Sequence, residues 1–324
     1  MPKSKKTPDQ TSLNISLELK QGSVQHSFFY DQSDNPKLVY DGCNITIDNA
    51  DASSNAEGWQ DYKVYISKDQ KEWEKTPTAS YKNGIYSFQM PSGYKYASCY
   101  PTYSIGNLSE FIKKAQITNN KLGGQIPYFM FGCFKKPTII IMARQYPCES
   151  MASFAVEGAI ETLVKHNQEH ANLSTRLLNH FSFIVFPMLN VSGVENFNHR
   201  YNTDEIDLNR DWEDEKSCEV RAVKKFLKQA AIKPYAFFDF HGDEVNKVIP
   251  TRQEKAYTIF NDSFFESDLT VIEKKPIPGS AREFFALKKF DSFTIELSAH
   301  VCTPEECKQI GSNLITKLIK TVNN

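Results

Sequence analysis

The sequence has no excess of either charge and no long apolar run. Its 38 lysines and arginines nearly balance 39 aspartates and glutamates, which leaves a formal net charge of −1 over 324 residues. Nucleic-acid-binding chains usually carry a strong basic excess, so we expect no nucleic-acid partner. A membrane span needs roughly 18 consecutive apolar residues, and the longest run here, residues 139–143, has the length of a buried strand. We therefore expect no membrane partner.

The sequence also lacks a disulfide pattern and a secretory signal. Its seven cysteines are odd in number and never spaced Cys-x-x-Cys, so they do not indicate a disulfide framework. The first residues are basic, but no apolar segment of the secretory type follows them. We expect residues 1–20 to be a flexible, solvated tail. These features favour a cytoplasmic, reducing compartment and leave signal-independent export open.

The length suggests two domains, and the first of them has a β-rich pattern. Residues 62–66 and 84–90 alternate between apolar and polar side chains, and Asn83-Gly84 stands before the second run. Asn-Gly beside alternating runs is a strong hairpin signal. We predict a small antiparallel β-sandwich over residues 21–122, with its boundary near the turn-rich segment 119–124.

From residue 123 to residue 324 the pattern changes to apolar strands alternating with helices. Residues 150–164, 219–231 and 303–322 have the clearest helical pattern, and the last begins with a threonine cap, a proline and a capping-box glutamate. Continuous apolar strands between helices predict an α/β domain whose mixed, mostly parallel sheet is flanked by helices. In such sheets ligands bind beyond the carboxyl ends of the strands.

Polar residues with chemical potential follow four of these predicted strands or lie within them. Each alone has an ordinary explanation, such as a loop histidine or an edge-strand glutamate. Together they supply zinc-type ligands, fixed cations for a carboxylate, and a candidate general base. The candidates are Glu149, Arg200, Arg210, His241 and Glu296.

At these positions the chain resembles the zinc metallocarboxypeptidases, specifically the cytosolic carboxypeptidase branch, over roughly Trp59 to Asn313. Five motifs occur in the family's order. They are Ala143-Arg-Gln-Tyr146-Pro-Cys148-Glu149, Asn190-Val-Ser-Gly193, Arg200 with Asp207-Leu-Asn209-Arg210, Asp239-Phe-His241-Gly-Asp-Glu244, and Thr294-Ile-Glu296-Leu-Ser298.

The resemblance implies roles for these residues. Glu149 and His241 would bind Zn²⁺, and Glu296 would act as general base toward metal-activated water. Arg200 would stabilise the oxyanion. Asn209 and Arg210 would hold the free carboxylate of a peptide or protein C-terminus. The implied activity is removal of C-terminal residues, including acidic ones; Arg252, Lys255 and Arg282 are the candidate cations for an acidic side chain.

The first metal motif departs from the family pattern, because Tyr146 stands where the family has a histidine ligand and Cys148 where it has glycine. A phenol with a pKa near 10 must lose its proton before it binds zinc. Tyr146 would then be an atypical third ligand, or it would donate to Asp207, which by resemblance orients that ligand. Cys148 is another candidate ligand. The alternative function is a carboxypeptidase-like protein that binds peptide C-termini without turnover, and a cell-wall peptide is a further candidate substrate.

Overall fold

The computed structural model describes two compact units, which extend from Met1 to Thr102 and from Tyr103 to Asn324. The described residues are 11–15, 19–20, 23–24, 29–31, 42–52, 56–169, 174–243, 245–251 and 259–321.

Among the residues described in the first unit there are ten short strands. They are β1 (Thr11–Ile15), β2 (Leu19–Lys20), β3 (Ser23–Val24), β4 (Phe29–Asp31), β5 (Cys43–Ile47), β6 (Tyr65–Ser67), β7 (Trp73–Lys75), β8 (Ala79–Lys82), β9 (Ile85–Met90) and β10 (Tyr96–Ser98). They form two four-stranded sheets, in the orders β1-β5-β9-β8 and β4-β10-β6-β7, and the pair β2-β3.

The predicted antiparallel β domain is confirmed, with one parallel pair, β1 with β5. Strand β1 lies within the segment expected to be a flexible tail, so the expectation for residues 1–20 does not hold for Thr11–Ile15. The predicted hairpin is present: β8 and β9 are joined by Asn83 and Gly84, both at positive φ. That conformation suits a two-residue turn and explains the Asn-Gly pair.

In the second unit, the described residues form eight strands and seven helices. The strands are β11 (Asn120–Leu122), β12 (Ile126–Phe131), β13 (Pro137–Ala143), β14 (Ser182–Phe186), β15 (Lys233–Asp243), β16 (Lys247–Pro250), β17 (Thr270–Val271) and β18 (Asp291–Ser298). The helices are α1 (Ile105–Ala115), α2 (Ser150–Glu169), α3 (Ser174–His180), α4 (Val191–Glu195), α5 (Cys218–Ala230), α6 (Ala281–Leu287) and α7 (Pro304–Thr321).

The strands of this unit form one sheet in the order β11-β12-β14-β13-β15-β18-β16-β17. The four central strands, β14, β13, β15 and β18, are mutually parallel, while antiparallel pairs join β11, β12 and β16 to them. The predicted mixed, mostly parallel sheet is therefore confirmed. Because the central strands are buried on both faces, their sequences are nearly continuous apolar runs.

Helices cover both faces of this sheet. On one side α2 and α7 pack so closely that a Cβ on Gly311 would lie 1.8 Å from the backbone oxygen of Ala155. On the other side α5 and α6 cover a core that includes Phe237, Phe285 and Trp212. The strand ends beside this second core carry the polar residues described below.

The structural division between the units differs from the predicted boundary at residues 122 and 123. Helix α1 begins at a Ser104 cap within the second unit. Strand β11 pairs with β12, with Asn120 opposite Tyr128, so it completes the edge of the large sheet. Both elements thus belong with the second unit, because their main contacts are with it.

The seven cysteines all lie in the described part of the chain, and they form no disulfide bond there. Among the described residues, no helix is long and apolar enough to cross a membrane.

Candidate functional site

The segment that follows β13 is held by a buried arginine. Arg144 has a positive φ of 60°, and its guanidinium donates to the backbone oxygens of Tyr103 and Pro147 and to the Ser153 hydroxyl. Burial lowers its pKa to about 10, so it remains cationic at neutral pH. These bonds fix the loop that carries Tyr146 and Glu149 over the sheet edge.

At the end of β15, His241 is enclosed by two carboxylates. Its Nδ1 lies 2.9 Å from Glu149 Oε2, and its Nε2 lies 3.0 Å from Asp239 Oδ2. We call Glu149, His241 and Asp239 the histidine cluster. Burial opposes a charge on the imidazole, but the two carboxylates outweigh it and raise the pKa of His241 well above its ordinary value. His241 therefore has two anionic partners for its two ring nitrogens.

The histidine cluster is itself supported from behind. Gln145 donates from Nε2 to Asp239 Oδ2 over 2.6 Å, and its Oε1 accepts from the indole nitrogen of Trp212 at 2.8 Å. Gln145, Asp239 and Trp212 are almost fully buried. These hydrogen bonds fix one oxygen of the Asp239 carboxylate, and that oxygen in turn orients the His241 ring.

Asn209 adjoins the histidine cluster from the short turn Leu208–Arg210, which lies between α4 and α5. Its Oδ1 accepts a hydrogen bond from the backbone nitrogen of Ala281 at 2.9 Å, which turns its amide nitrogen toward His241 Nε2, 3.3 Å away. Asp207 caps the same turn by accepting from the backbone nitrogen of Asn209. The turn is thus tied to both α6 and the histidine.

Tyr146 lies between two arginines. Its hydroxyl accepts from Arg200 Nη2 at 2.7 Å and from Arg210 Nη1 at 3.3 Å. The Arg200 guanidinium also stacks over the Tyr146 ring at 4.3 Å from its centroid. We call these three residues the arginine–tyrosine group. Burial and the nearby Asp207 carboxylate raise the pKa of Tyr146, so the phenol keeps its proton at neutral pH.

Asp207 is linked to Tyr146 through Arg200, which donates from Nε to Asp207 Oδ2 over 2.7 Å. The direct Tyr146–Asp207 hydrogen bond expected as one alternative is replaced, because the Arg200 guanidinium lies between the two side chains and donates to both. Arg200 makes the contacts with Asp207 and with Tyr146 because its guanidinium has donors that point in two directions. Asp207 therefore orients an arginine.

Glu296 lies on β18 directly opposite His241 of β15. Partners in adjacent strands project to the same face of a sheet, so Glu296 shares the face of the histidine cluster. As expected from the alternation, Phe293, Ile295 and Leu297 are buried and project to the other face. All eight predicted site residues therefore lie around one edge of the sheet.

Zinc favours four ligands, and in a catalytic site three of them usually come from the protein. Glu149 and His241 supply two suitable atoms, and Asp239 provides the carboxylate that commonly holds a ligating histidine from behind. The third position is occupied by Tyr146, a protonated phenol engaged by two arginines. Within the described part of the chain, no group of three histidine, cysteine, aspartate or glutamate side chains is arranged to hold a metal. The residues therefore do not fit the three-ligand zinc site that the motifs implied.

The candidate cations for an acidic side chain are not equally placed. Arg282 is buried and engaged by the Glu283 carboxylate and the backbone oxygen of Ile249. Arg252 and Lys255 lie outside the described residues. Arg282 is therefore already paired within the protein.

His199 is a second histidine beside the site, and its environment is the reverse of that of His241. Its Nδ1 is buried and has no hydrogen-bond partner among the described residues. Burial, with a smaller contribution from the adjacent Arg200, lowers the pKa of His199 to about 4. It is neutral at pH 7.

Sequence reasoning assigned no role to Asp239, Gln145, Arg144 or Trp212. A signal for Asp239 was present, because it precedes His241 by two residues and so shares its face of the strand. The other three have no such signal, since their contacts join segments far apart in the chain. Long-range partners of this kind become visible only when the strands are placed side by side.

Two family models match the chain. Residues 3–103 match the cytosolic carboxypeptidase N-terminal domain, and residues 131–267 match the zinc carboxypeptidase domain. The first match ends at the boundary between the two structural units. These matches confirm the resemblance predicted from the motifs.

Relatives with similar sequences cover parts of the chain. An uncharacterised protein of Zymomonas mobilis is 28% identical over 213 residues, which is 62% of this chain and 54% of that protein. Cytosolic carboxypeptidase 4 of Mus musculus is 33% identical over 118 residues, which is 35% of this chain and 10% of that protein. The matched region thus spans about half the length of the first relative and a tenth of the second.

Solved structures share the fold over nearly the full length. A metallo-carboxypeptidase from Burkholderia cenocepacia has a TM-score of 0.81 at 21% identity, covering 99% of this chain and 95% of that one. A Pseudomonas aeruginosa metallo-carboxypeptidase, in complex with (2-guanidinoethylmercapto)succinic acid, has a TM-score of 0.80 at 20% identity, covering 98% and 95%. At these identities the likeness shows a common fold.

Proposed function

We propose that this chain, which belongs to the zinc carboxypeptidase family, binds the C-terminal carboxylate of a peptide or protein without a three-ligand zinc site. The observation that carries the proposal is the convergence of Arg200 and Arg210 on one oxygen, the Tyr146 hydroxyl. Two guanidinium groups aimed at one point form a favourable site for an anion, since arginine matches carboxylate geometry. Arg210 is exposed, so a ligand carboxylate can reach it.

The proposal also accounts for the histidine cluster. His241 has both ring nitrogens engaged by carboxylates, so its own charge is paired within the protein. A buried charge is tolerated only when it is paired and hydrogen-bonded. We infer that the histidine cluster is a structural support for Asn209, whose amide lies beside His241.

A second candidate function is hydrolysis of the C-terminal peptide bond. It is favoured by Glu296, which the family pattern assigns as general base and which lies in register with His241. Specificity for acidic terminal residues would need a further cation, and Arg282 is already paired with Glu283. We favour binding without turnover because Tyr146, at the position of the third implied ligand, is a protonated phenol engaged by two arginines.

The binding proposal is tested with a fluorescein-labelled peptide bearing a free C-terminal carboxylate and with its C-terminal amide. We expect the amide to bind at least tenfold more weakly, because loss of a charged hydrogen-bond partner costs about 1.5–3 kcal/mol. Arg210→Met should weaken free-acid binding to the same degree. Arg221→Met, at an exposed arginine on α5, is the matched control. Equal affinities for acid and amide would contradict the proposal.

The two candidate functions are separated by elemental analysis and by C-terminal digestion of the same peptide. We expect the purified chain to hold far less than one zinc per molecule and to release no residues. Tyr146→His should raise the zinc content, because it supplies the third ligand. Stoichiometric metal and steady release of C-terminal residues by the unaltered chain would instead establish the hydrolase.

A further inference from the structure

Two cysteines lie at the turn that leads from β18 into α7. Thr303 caps this helix through a capping box, in which Thr303 Oγ1 accepts from the Glu306 backbone nitrogen and Glu306 Oε2 accepts from the Thr303 backbone nitrogen. Cys302 precedes the cap, and Cys307 is the fourth residue of the helix. Side chains at these two positions often pack against each other in what is called a hydrophobic staple. The capped turn therefore brings two thiols together.

Both thiols are enclosed by the protein and hydrogen-bonded within it. Cys302 is 3% exposed and Cys307 is fully buried. The Cys307 thiol donates a hydrogen bond to the Cys302 sulfur. The Cys302 sulfur also lies 3.2 Å from the amide oxygen of Asn246. The two sulfur atoms are thus neighbours in the folded chain, and no disulfide bond joins them.

Two features make Cys302 reactive. The hydrogen bond from Cys307 lowers the pKa of the Cys302 thiol to about 7, although burial opposes this shift. A large fraction of Cys302 is therefore thiolate at neutral pH, and the thiolate is the nucleophilic form of cysteine. Cys302 also lies between two exposed residues, Val301 and Thr303. Its sulfur is consequently close to the surface, within reach of an oxidant as small as hydrogen peroxide.

We propose that Cys302 and Cys307 are a redox-sensitive pair, which a peroxide converts from two thiols into a disulfide at the start of α7. The Cys302 thiolate attacks one peroxide oxygen, the O–O bond breaks, and a sulfenic acid forms while hydroxide leaves and is protonated to water. The Cys307 sulfur then attacks the Cys302 sulfur, the S–O bond breaks, and the Cys307 proton leaves with the hydroxide as a second water. Two thiols thereby lose two hydrogens and two electrons, and one peroxide is reduced to two waters.

The proposal is tested by peptide mapping of the full chain. Folded protein is treated with hydrogen peroxide at pH 7, the excess is removed, and the protein is unfolded in urea with iodoacetamide and digested with trypsin. Both cysteines lie in one tryptic peptide, residues 290–308, because no lysine or arginine interrupts it before its terminal lysine. We expect this peptide to lose two hydrogens and to carry no alkyl group. Untreated protein should give the doubly alkylated peptide.

Cys43 is the matched control, because it is also 3% exposed, whereas burial raises the pKa of its thiol. Cys302 should be lost to peroxide at least about tenfold faster than Cys43, since more of it is thiolate. Cys307→Ser keeps a hydroxyl beside Cys302 but removes the second sulfur. In that variant the oxidation should stop at a sulfenic acid, which dimedone traps.

Two results would overturn the proposal. One is recovery of the 290–308 peptide from treated protein with both thiols alkylated, or with one thiol over-oxidised and the other alkylated. The other is loss of Cys302 and Cys43 at equal rates, which would mean that the turn gives Cys302 no special reactivity. Both results come from the unaltered chain, so they do not depend on whether the Cys307→Ser variant folds.

Discussion

The two halves of the candidate site differ in how their charges are balanced. The histidine cluster is buried, and its single basic group is enclosed by two carboxylates. The arginine–tyrosine group is more open, with Arg200 29% exposed and Arg210 at the surface, and its two cations converge on a neutral phenol. One half therefore has its histidine charge paired within the protein, while the other keeps an arginine, Arg210, exposed to solvent.

This difference depends on Tyr146, whose hydroxyl lies between the two guanidinium groups. Here the Tyr146 hydroxyl takes up donors from the arginines and provides no anionic ligand. The first half can then act as a rigid support, and the second can act as the anion-binding surface.

The largest expected effect is on the buried half. Asp239→Ala should lower the free energy of unfolding by about 3–5 kcal/mol, because it leaves the His241 charge without one of its buried partners. Asp214→Ala removes an exposed ion pair with Lys216 and should cost less than about 1 kcal/mol. Urea unfolding at pH 7 measures both. Similar small losses in the two variants would mean that the histidine cluster does not hold a buried charge.

The second expected effect distinguishes the two histidines by pH. The folded-state pKa of His199 is about 4, below its unfolded value near 6.5. Between these values the unfolded chain binds the proton more readily, so stability falls as the pH falls. Between pH 7 and pH 5, His199 should lower the free energy of unfolding by roughly 2 kcal/mol.

The measurement for His199 is urea unfolding at pH 7 and pH 5. His199→Gln should remove this part of the pH dependence, whereas His180→Gln, at the exposed end of α3, should leave it in place. An unchanged pH dependence in His199→Gln would show that His199 is already protonated in the folded chain.

A smaller effect is expected when the phenol oxygen is removed from the open half. Tyr146→Phe keeps the ring beneath Arg200 but leaves two guanidinium groups without their shared acceptor. Because Arg200 and Arg210 are partly or fully solvated, the loss of stability should be only about 1 kcal/mol. Urea unfolding measures it. A loss as large as that of Asp239→Ala would contradict the contrast between the halves.

The smallest expected effect is that of zinc on the unaltered chain. An ion that binds the folded state raises the unfolding temperature, and the increase grows with the affinity of the ion for that state. With two suitable ligands, zinc at roughly 10 μM should shift the midpoint by less than about 1 °C, whereas Tyr146→His should shift by several degrees. Calorimetry with and without a chelator measures the difference. Equal shifts in the two chains would mean that Tyr146 does not limit metal binding.

Much of the fold was predictable because local patterns agreed with it. The apolar runs at β13, β14, β15 and β18 became the four central parallel strands. The Thr303 capping box is present at the start of α7, where Thr303 and Glu306 exchange hydrogen bonds. The boundary between the units was predicted less well, because β11 is a short edge strand whose membership depends on its partner β12.

The motifs likewise predicted which residues meet at the site, but not which atoms pair. The resemblance implied that Tyr146 would face a metal or Asp207, and Arg200 lies between Tyr146 and Asp207 instead. Asp239 was given no role, although it adjoins the predicted residue His241. Partner choice depends on side-chain direction and burial, which a linear pattern does not contain.

The sequence by itself determined the two-unit organisation, the parallel centre of the large sheet, and the set of side chains at its carboxyl edge. It could do so because strand periodicity and motif order are local properties. Only the tertiary structure decided the charge states of His241 and His199, the partners of Tyr146, and the register that places Glu296 opposite His241. These depend on burial and on register between strands distant in the chain, and both exist only once the sheet has formed.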